Sequence, residues 1–276
     1  YLLAANATGQ PVPAPGGAFR DNLACHHGGY TAASARAWRR ELDGIRTPTL
    51  IAAGARTHEI AVVPGTHRLT IDADTTAALG AVAASAGTTL NTVLQVAWAI
   101  QLGRRLGRDD VVFGATVSGR PAALPGVESI VGLCINTVPV RVRLVAEQSV
   151  SELLRAVQAA QAALIEHHHL GLAEIHAAAG ARDTLFDTVL AYESYPIDTD
   201  QLAAVGDALF EAEVELRDAA HYPLTLTVDP KAELTIVFGY QRAVFEEAQV
   251  VEIAAQTQRL LAAVARDPHA LAEELR

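Results

Sequence analysis

The sequence predicts an α/β chain, with a mixed sheet flanked by helices. Three observations carry that expectation. Half of the 276 residues are hydrophobic and only 19% are charged, far from the composition of a chain that cannot bury a core. The apolar residues recur with a helical period of about 3.6 in some segments and alternate in others. The order is helix, strand and helix early, then mostly strands, then a closing helix, an arrangement suited to a mixed sheet. At roughly 100–200 residues per domain, the length allows one large domain or two small ones.

Residues 1–30 read as irregular, because Pro11, Pro13 and Pro15 each fix φ and push the preceding residue out of the α region. Residues 31–42 are Ala-rich, with Thr31 as a cap and Gly44 as a stop, and predict a helix. The Gly- and Pro-containing stretch 45–66 reads as a connection. Residues 67–72 alternate as a strand with Leu69 and Ile71 on one face. Helices are expected over 75–86 and 90–106, and a short apolar strand over 111–117. A loop follows at 118–129, with Gly119, Pro121, Pro125 and Gly126. Residues 134–144 alternate, placing Val138, Val140, Val142 and Leu144 together. A capping box, Ser149 with Glu152, opens a helix expected to reach about His167. Strands are expected over 186–192, 208–216, 224–228 and 234–240, the last two joined as a hairpin at Asp229-Pro230. Residues 245–265 place Val250, Ile253, Thr257, Leu261 and Val264 along one helical stripe. A short helix is expected after Pro268. No internal repeat interrupts this order.

Charge and cysteines narrow the class. Lys+Arg number 21 against 31 Asp+Glu, a net charge of −10, which argues against a nucleic-acid surface or an anionic-membrane surface. No uninterrupted apolar run reaches 18 residues, so no spanning helix is expected. Cys25 and Cys134 lie far apart and outside any CxxC pattern, as suits a reducing, cytoplasmic setting. The chain lacks Met and opens at Tyr1, with no basic and apolar leader, and reads as an internal piece of a longer polypeptide.

Histidine is the first place to look for chemistry. His26 and His27 follow Cys25, and His167, His168 and His169 precede Gly171 and His176. Neighbours on a helix diverge by ~100°, and a zinc site needs about three or four convergent ligands. No metal is therefore expected, and 167–169 reads as a polar helix end. Neither a G-x-S-x-G elbow, a G-x-x-x-x-G-K-[ST] loop nor a G-x-G-x-x-G loop is present.

Residues 110–143 carry the specific signal. Val117-Ser118-Gly119-Arg120-Pro121 is followed by Val131-Gly132-Leu133-Cys134-Ile135-Asn136-Thr137-Val138-Pro139-Val140-Arg141. This run resembles the condensation domains of non-ribosomal peptide synthetases, with their V-S-G-R-P loop and V-G-x-F-[IV]-N-T-x-P-x-R pattern; Cys134 stands where the family usually has Phe. Further stretches follow in family order. Phe19-Arg20-Asp21 resembles a degraded Y-x-D-[FY]-A-V-W, and Ala37-Trp38 with Leu42 resembles Y-W-x-x-x-L. His167-His168-His169-Leu170-Gly171-Leu172 resembles H-Q-x-x-P-[FL], with Gly for Pro. Phe186-Asp187 through Tyr195-Pro196 resembles F-D-x-x-[LV]-x-[FY]-x-N-Y-P. Arg217-Asp218 with Pro223-Leu224 keeps the ends of R-D-x-S-R-N-P-L. The family's catalytic H-H-x-x-x-D-G is absent: neither histidine cluster is followed by Asp-Gly, and both lie after the Phe19 motif.

The resemblance implies a chloramphenicol-acetyltransferase-like fold of two lobes with a tunnel between them. Residues 1–60 would be the end of the N-terminal lobe and the inter-lobe connection, and 61–276 the C-terminal lobe. The catalytic residues would precede Tyr1, so that none lies in this chain. The implied partners are upstream and downstream peptidyl carrier proteins, an adjacent adenylation domain and the N-terminal lobe. The substrates would ride on the phosphopantetheine of the carriers, with no cofactor or metal bound directly. Ser118, Gly119 and Arg120, at the opening of the Gly/Pro loop, are candidates to line the tunnel, with Asn136 and Tyr192. For each a local structural role is the alternative: a turn, an ion pair, a buried hydrogen bond or core packing. Asp21, Trp38, Gly132, Thr137, Arg217, Asp218 and Pro223 are expected to be structural. Two other readings stay open, a non-catalytic scaffold or carrier-docking lobe and an ester-forming relative.

Overall fold

A computed structural model describes residues 31–52, 64–118, 135–181, 184–193 and 222–275. Asp21, Cys25, His26, His27, Gly119, Arg120, Gly132, Cys134, Arg217, Asp218 and the strand expected over 208–216 lie outside the described residues.

Helix α1 (Thr31–Glu41) precedes strand β1 (Gly65–Ile71), helix α2 (Ala73–Ala86), helix α3 (Leu90–Leu106) and strand β2 (Asp110–Ser118). Strand β3 (Ile135–Arg143), helix α4 (Val150–Ala162), a 3₁₀ turn (Ile165–His167) and helix α5 (Leu172–Ala178) follow. Strands β4 (Thr188–Tyr192), β5 (Leu224–Pro230) and β6 (Leu234–Tyr240) lead into helix α6 (Glu247–Arg266). Local chemistry sets several boundaries. Asp72 caps α2 by accepting from the Thr75 amide at 2.7 Å, and Gly87, at φ +67°, ends that helix in the left-handed region. The Ser149–Glu152 capping box opens α4 as expected.

The described strands form one sheet in the order β1-β6-β5-β4-β2-β3. The pairs β5–β4 and β4–β2 are parallel; β1–β6, β6–β5 and β2–β3 are antiparallel. This is the mixed sheet that the pattern of elements predicts. The C-terminal ends of β2, β4 and β5 therefore share one edge of the sheet, where β3 and β6 begin.

Both faces are covered. On one, α2, α3, α4 and α6 bury Trp98, Leu153, Ile253 and Leu261 against Phe113 and Phe238. Gln101 lies in this layer, donating to the Ile253 carbonyl at 2.9 Å and accepting from Thr257 at 2.7 Å. Thr257 thus joins the apolar stripe of α6 without an orphaned hydroxyl. On the other face, α1 and α5 bury Trp38, Leu42 and Ile175 against Val112, Phe186 and Val189. Gly114 of β2 makes this approach possible: a Cβ there would sit 2.6 Å from the Phe186 ring.

Two expectations fail. The helix expected to reach His167 ends at Ala162, so His167–His169 occupy a 3₁₀ turn and its exit, and His169 shares no helix with His176. The cause is tertiary: the carbonyls of His167, His168 and Leu170 are taken by Trp38 and Asn136, from elements far away in sequence. The segment after Pro268 is a series of turns, not a helix. Its backbone pairs with the entry to α4 instead, through Val150 N to Ala270 O (3.1 Å) and Ala272 N to Gln148 O (2.9 Å).

Candidate functional site

The edge formed by the C-terminal ends of β2, β4 and β5 is the candidate site, since open α/β sheets bind ligands beyond the carboxyl ends of parallel strands. Ser118 is the last residue of β2 and is exposed. Its partner in β3 is Ile135, 53% exposed despite its apolar side chain. Tyr192 ends β4 half-buried, and burial raises its phenol above the ordinary tyrosine range. Beyond it the Glu193 amide donates to Val228 O at 2.9 Å, keeping β4 and β5 together to the edge. The structure thus brings Ser118 and Tyr192, far apart in sequence, to the same end of the sheet.

Asn136 stands opposite Val117 in the ladder. Its Nδ2 donates to the carbonyls of His168 (2.7 Å) and Leu170 (2.8 Å), and its Oδ1 accepts from the Thr137 amide at 2.9 Å. An amide nitrogen has two hydrogens, and both are spent, so Asn136 anchors the 165–171 turn to the start of β3. Trp38 does the same from α1, its indole N–H donating to His167 O at 3.1 Å. Thr137 pairs with Thr116 in the ladder, and the buried Pro223 accepts from Gln241 N at 3.0 Å where β5 begins.

The histidines of the turn converge from different directions. His167 Nδ1 lies 3.1 Å and His169 Nε2 3.3 Å from the Ser34 hydroxyl, and His169 Nδ1 lies 2.9 Å from Glu166 O. His168 between them is pushed down to about 4, first by burial and then by the flanking imidazoles. His176 is also lowered by burial. It meets Phe186 edge-on at 6.1 Å between ring centroids, and Phe186 stacks on Tyr222 at 5.8 Å. Among the described residues no group of three His, Cys, Asp or Glu could hold a metal ion.

The opposite end of the sheet carries the connection into it. Thr49 bridges Phe186 in parallel, and its hydroxyl accepts from Val112 N at 2.8 Å, so it wedges between β2 and the approach to β4. Asp187 accepts the amides of Ile51 (3.0 Å) and Ala52 (2.8 Å). Burial raises its carboxyl above the usual range, and those two amides oppose the rise. Arg141 forks onto Asp110 through Nε (2.9 Å) and Nη2 (2.7 Å), and its Nη1 donates to Glu41 O and Asp43 O at 2.8 and 2.7 Å. A cavity of about 330 Å³ lies at this end, lined by Arg46, Arg108, Asp109 and Asp110 among others. It is remote from Ser118 and Tyr192. Arg108 in its wall donates to Pro48 O and Thr47 O, holding the connection.

The positions of Ser34, Asp187 and Arg141 in this network are not apparent from residue pattern. Ser34 had one signal, its i,i+4 spacing to Trp38 on an Ala-rich helix. Asp187 and Arg141 lie within the family-like runs, but their partners are 100 or more residues away in most cases.

Comparison with known proteins gives one consistent result. The family model for "Condensation domain" matches residues 24–276. A linear gramicidin synthase of Brevibacillus parabrevis is 41% identical over 229 residues, covering 81% of this chain and 3% of that protein. Vanchrobactin synthetase VabF of Vibrio anguillarum is 41% identical over 166 residues, covering 60% of this chain and 6% of its own. The first condensation domain of the calcium-dependent antibiotic synthetase has the same fold at a TM-score of 0.76 and 20% identity; the match covers 98% of this chain and 60% of that one. The X-domain from teicoplanin biosynthesis matches at 0.68 and 21% identity over 91% of this chain and 58% of its own. The chain thus spans a few per cent of the length of its curated relatives and about 60% of a solved condensation domain.

Proposed function

Because the chain belongs to the condensation-domain family, we propose that it contributes the C-terminal lobe and inter-lobe connection to an amide-forming acyltransferase of a non-ribosomal peptide synthetase. In this reading the amine of an acceptor aminoacyl thioester attacks the carbonyl of a donor thioester. A C–N bond forms, the C–S bond breaks, and the donor carrier's thiol departs with the proton released by the amine. Both substrates arrive on phosphopantetheine arms of carrier proteins, from the upstream and downstream sides, with an adenylation domain adjacent. Aligning amine and carbonyl at near-attack distance is worth ~7–11 kcal/mol, so positioning does most of the work.

The observation that carries the reading is the pair of motif blocks between Val117 and Arg141, which begin on β2 at the candidate edge and end in β3. Ser118, Gly119, Arg120 and Tyr192 are the residues we assign to the tunnel wall, where short polar donors would hold pantetheine amides. We assign residues 1–60 to the end of the N-terminal lobe and the inter-lobe connection, and 61–276 to the C-terminal lobe. An acidic chain with two isolated cysteines suits a cytoplasmic synthetase. Among the described residues no single helix is long and apolar enough to cross a membrane.

No H-H-x-x-x-D-G lies in these 276 residues, so the histidine that would orient or deprotonate the amine must be supplied from outside them. The test has two arms. The purified chain, given donor and acceptor aminoacyl carrier thioesters, is expected to yield no dipeptidyl product by mass spectrometry; product from this chain alone would refute the assignment. Joined to a condensation-domain N-terminal lobe bearing an intact H-H-x-x-x-D-G, it is expected to form an amide in a His-dependent way. Carrier binding without turnover in that hybrid would favour a scaffold, and acceptance only of a hydroxyl would favour an ester-forming relative.

A further inference from the structure

The cluster of Ser34, His167 and His169 has a proton count that can be worked out from its geometry. The Glu166 carbonyl is an acceptor only, so His169 Nδ1, 2.9 Å away, must carry a hydrogen. A neutral His169 then has a bare Nε2, which takes the one hydrogen of the Ser34 hydroxyl at 3.3 Å. The Ser34 oxygen is left to accept, so His167 Nδ1 at 3.1 Å must donate to it. Every facing atom has a complementary role: His167 to Ser34, Ser34 to His169, His169 to Glu166.

One added proton can be absorbed. With His169 doubly protonated, its Nε2 donates to Ser34, the hydroxyl turns about, and its hydrogen goes to a bare His167 Nδ1. A second proton cannot be absorbed. Both imidazolium rings then point N–H groups at one oxygen, and the serine hydrogen loses both of its imidazole acceptors. Ser34 is 0% exposed, which rules out a nucleophile that a thioester must reach and leaves a structural role for this Ser–His pair.

We propose that Ser34, His167 and His169 form a one-proton latch that fastens α1 and the 165–171 turn against the start of β3, and that a second proton opens it. The turn is the one Asn136 and Trp38 hold through its carbonyls, next to the edge that ends in Ser118. Opening it in mild acid therefore loosens α1 and that edge before the main core unfolds.

The charged groups on the surrounding elements give no simple escape. Arg36, Arg39, Arg40 and Glu41 lie on α1, Arg155 on α4, Arg141 and Arg143 on β3, Glu174 and His176 on α5, and Glu166 in the turn. Arg39 is occupied with Ala178 O, Arg141 with Asp110, and Glu174 with the Gly171 amide that starts α5. His168 reinforces the direction: its folded-state value near 4, below the ordinary 6.5, favours neutral imidazole. Its share of stability is present above pH 6.5 and is lost as pH falls toward 4.

This inference is independent of the catalytic reading and is tested on the chain itself. Long-range ¹H–¹⁵N spectra of the histidine-labelled chain at pH 8 are expected to show His167 and His169 both in the Nδ1–H tautomer. Hydrogen exchange of the α1 amides, corrected for intrinsic pH dependence, should rise about tenfold or more between pH 7.5 and 5.5 as α1 opens locally. Ser34→Thr, which keeps the hydroxyl, should preserve the His167 tautomer; Ser34→Ala should release it while leaving His169 Nδ1–H on Glu166. An Nε2–H tautomer for His167 or His169 in the unmodified chain at pH 8 would overturn the proposal, and so would unchanged α1 protection at pH 5.5. Both readouts need no variant to fold.

Discussion

Replacing Arg141 by Met removes a guanidinium that is only 4% exposed and donates four hydrogen bonds, two to Asp110 and one each to the carbonyls of Glu41 and Asp43. Truncating one partner of a buried pair typically costs about 3–5 kcal/mol, because the other charge is left uncompensated. The two partners differ here. Asp110 is 40% exposed and regains water when Arg141 goes, so Arg141→Met is expected near the low end, about 3 kcal/mol. Asp110→Ala strands the enclosed guanidinium and is expected to cost about 4 kcal/mol. With both changed, no buried charge is left unpaired. The double variant should then lose about 3–4 kcal/mol instead of the sum of about 7, a coupling of about 3–4 kcal/mol. Urea unfolding followed by circular dichroism and tryptophan fluorescence measures this. At a slope of about 3 kcal/mol/M, each single change lowers the midpoint by about 1 M or slightly more. Trp38 on α1 reports the helix whose end Arg141 holds. A coupling below about 0.5 kcal/mol, within ordinary additivity, would refute the view that this pair works as a buried unit.

Three further outcomes are expected. Gly114→Ala should cost about 1–3 kcal/mol by overpacking, because its new Cβ would lie 2.6 Å from Phe186 and 2.8 Å from Val189. Gly80→Ala, on α2 with open space around it, should instead stabilise by about 0.5–1 kcal/mol; thermal melts giving the reverse order would sink the packing argument. Asp187→Ala should free the Ile51 and Ala52 amides, raising their hydrogen exchange about 5–30-fold for the loss of one or two kcal/mol, and unchanged exchange there would show that the carboxylate does not hold the connection.

How much of this was readable beforehand depends on the range of the interaction involved. The capping box at Ser149 and Glu152, the stop at Gly44, and the hairpin at Asp229-Pro230 all lie within a few residues, and each appears where the pattern places it. Alternation in β1 and the stripe of α6 are likewise local consequences of which side chains face the core. The family-like run around Ser118 also pointed to one segment, and the sheet then set that segment beside Tyr192. The helix expected to reach His167 failed for the opposite reason. Local propensity favoured continuing past Ala162, but Trp38 and Asn136 offered its carbonyls better partners.

From the residues alone one could obtain the fold class, most element positions, the family and the absence of its catalytic motif. Tertiary structure decided the rest: that Asn136 spends its amide on a turn, that two histidines of that turn meet one buried serine from α1, and that Asp187 and Arg141 tie the connection to the sheet. Periodicity and capping are written into neighbours along the chain. A hydrogen bond between residues 34 and 167 depends on how two helices and a sheet edge pack, and no local pattern encodes that distance.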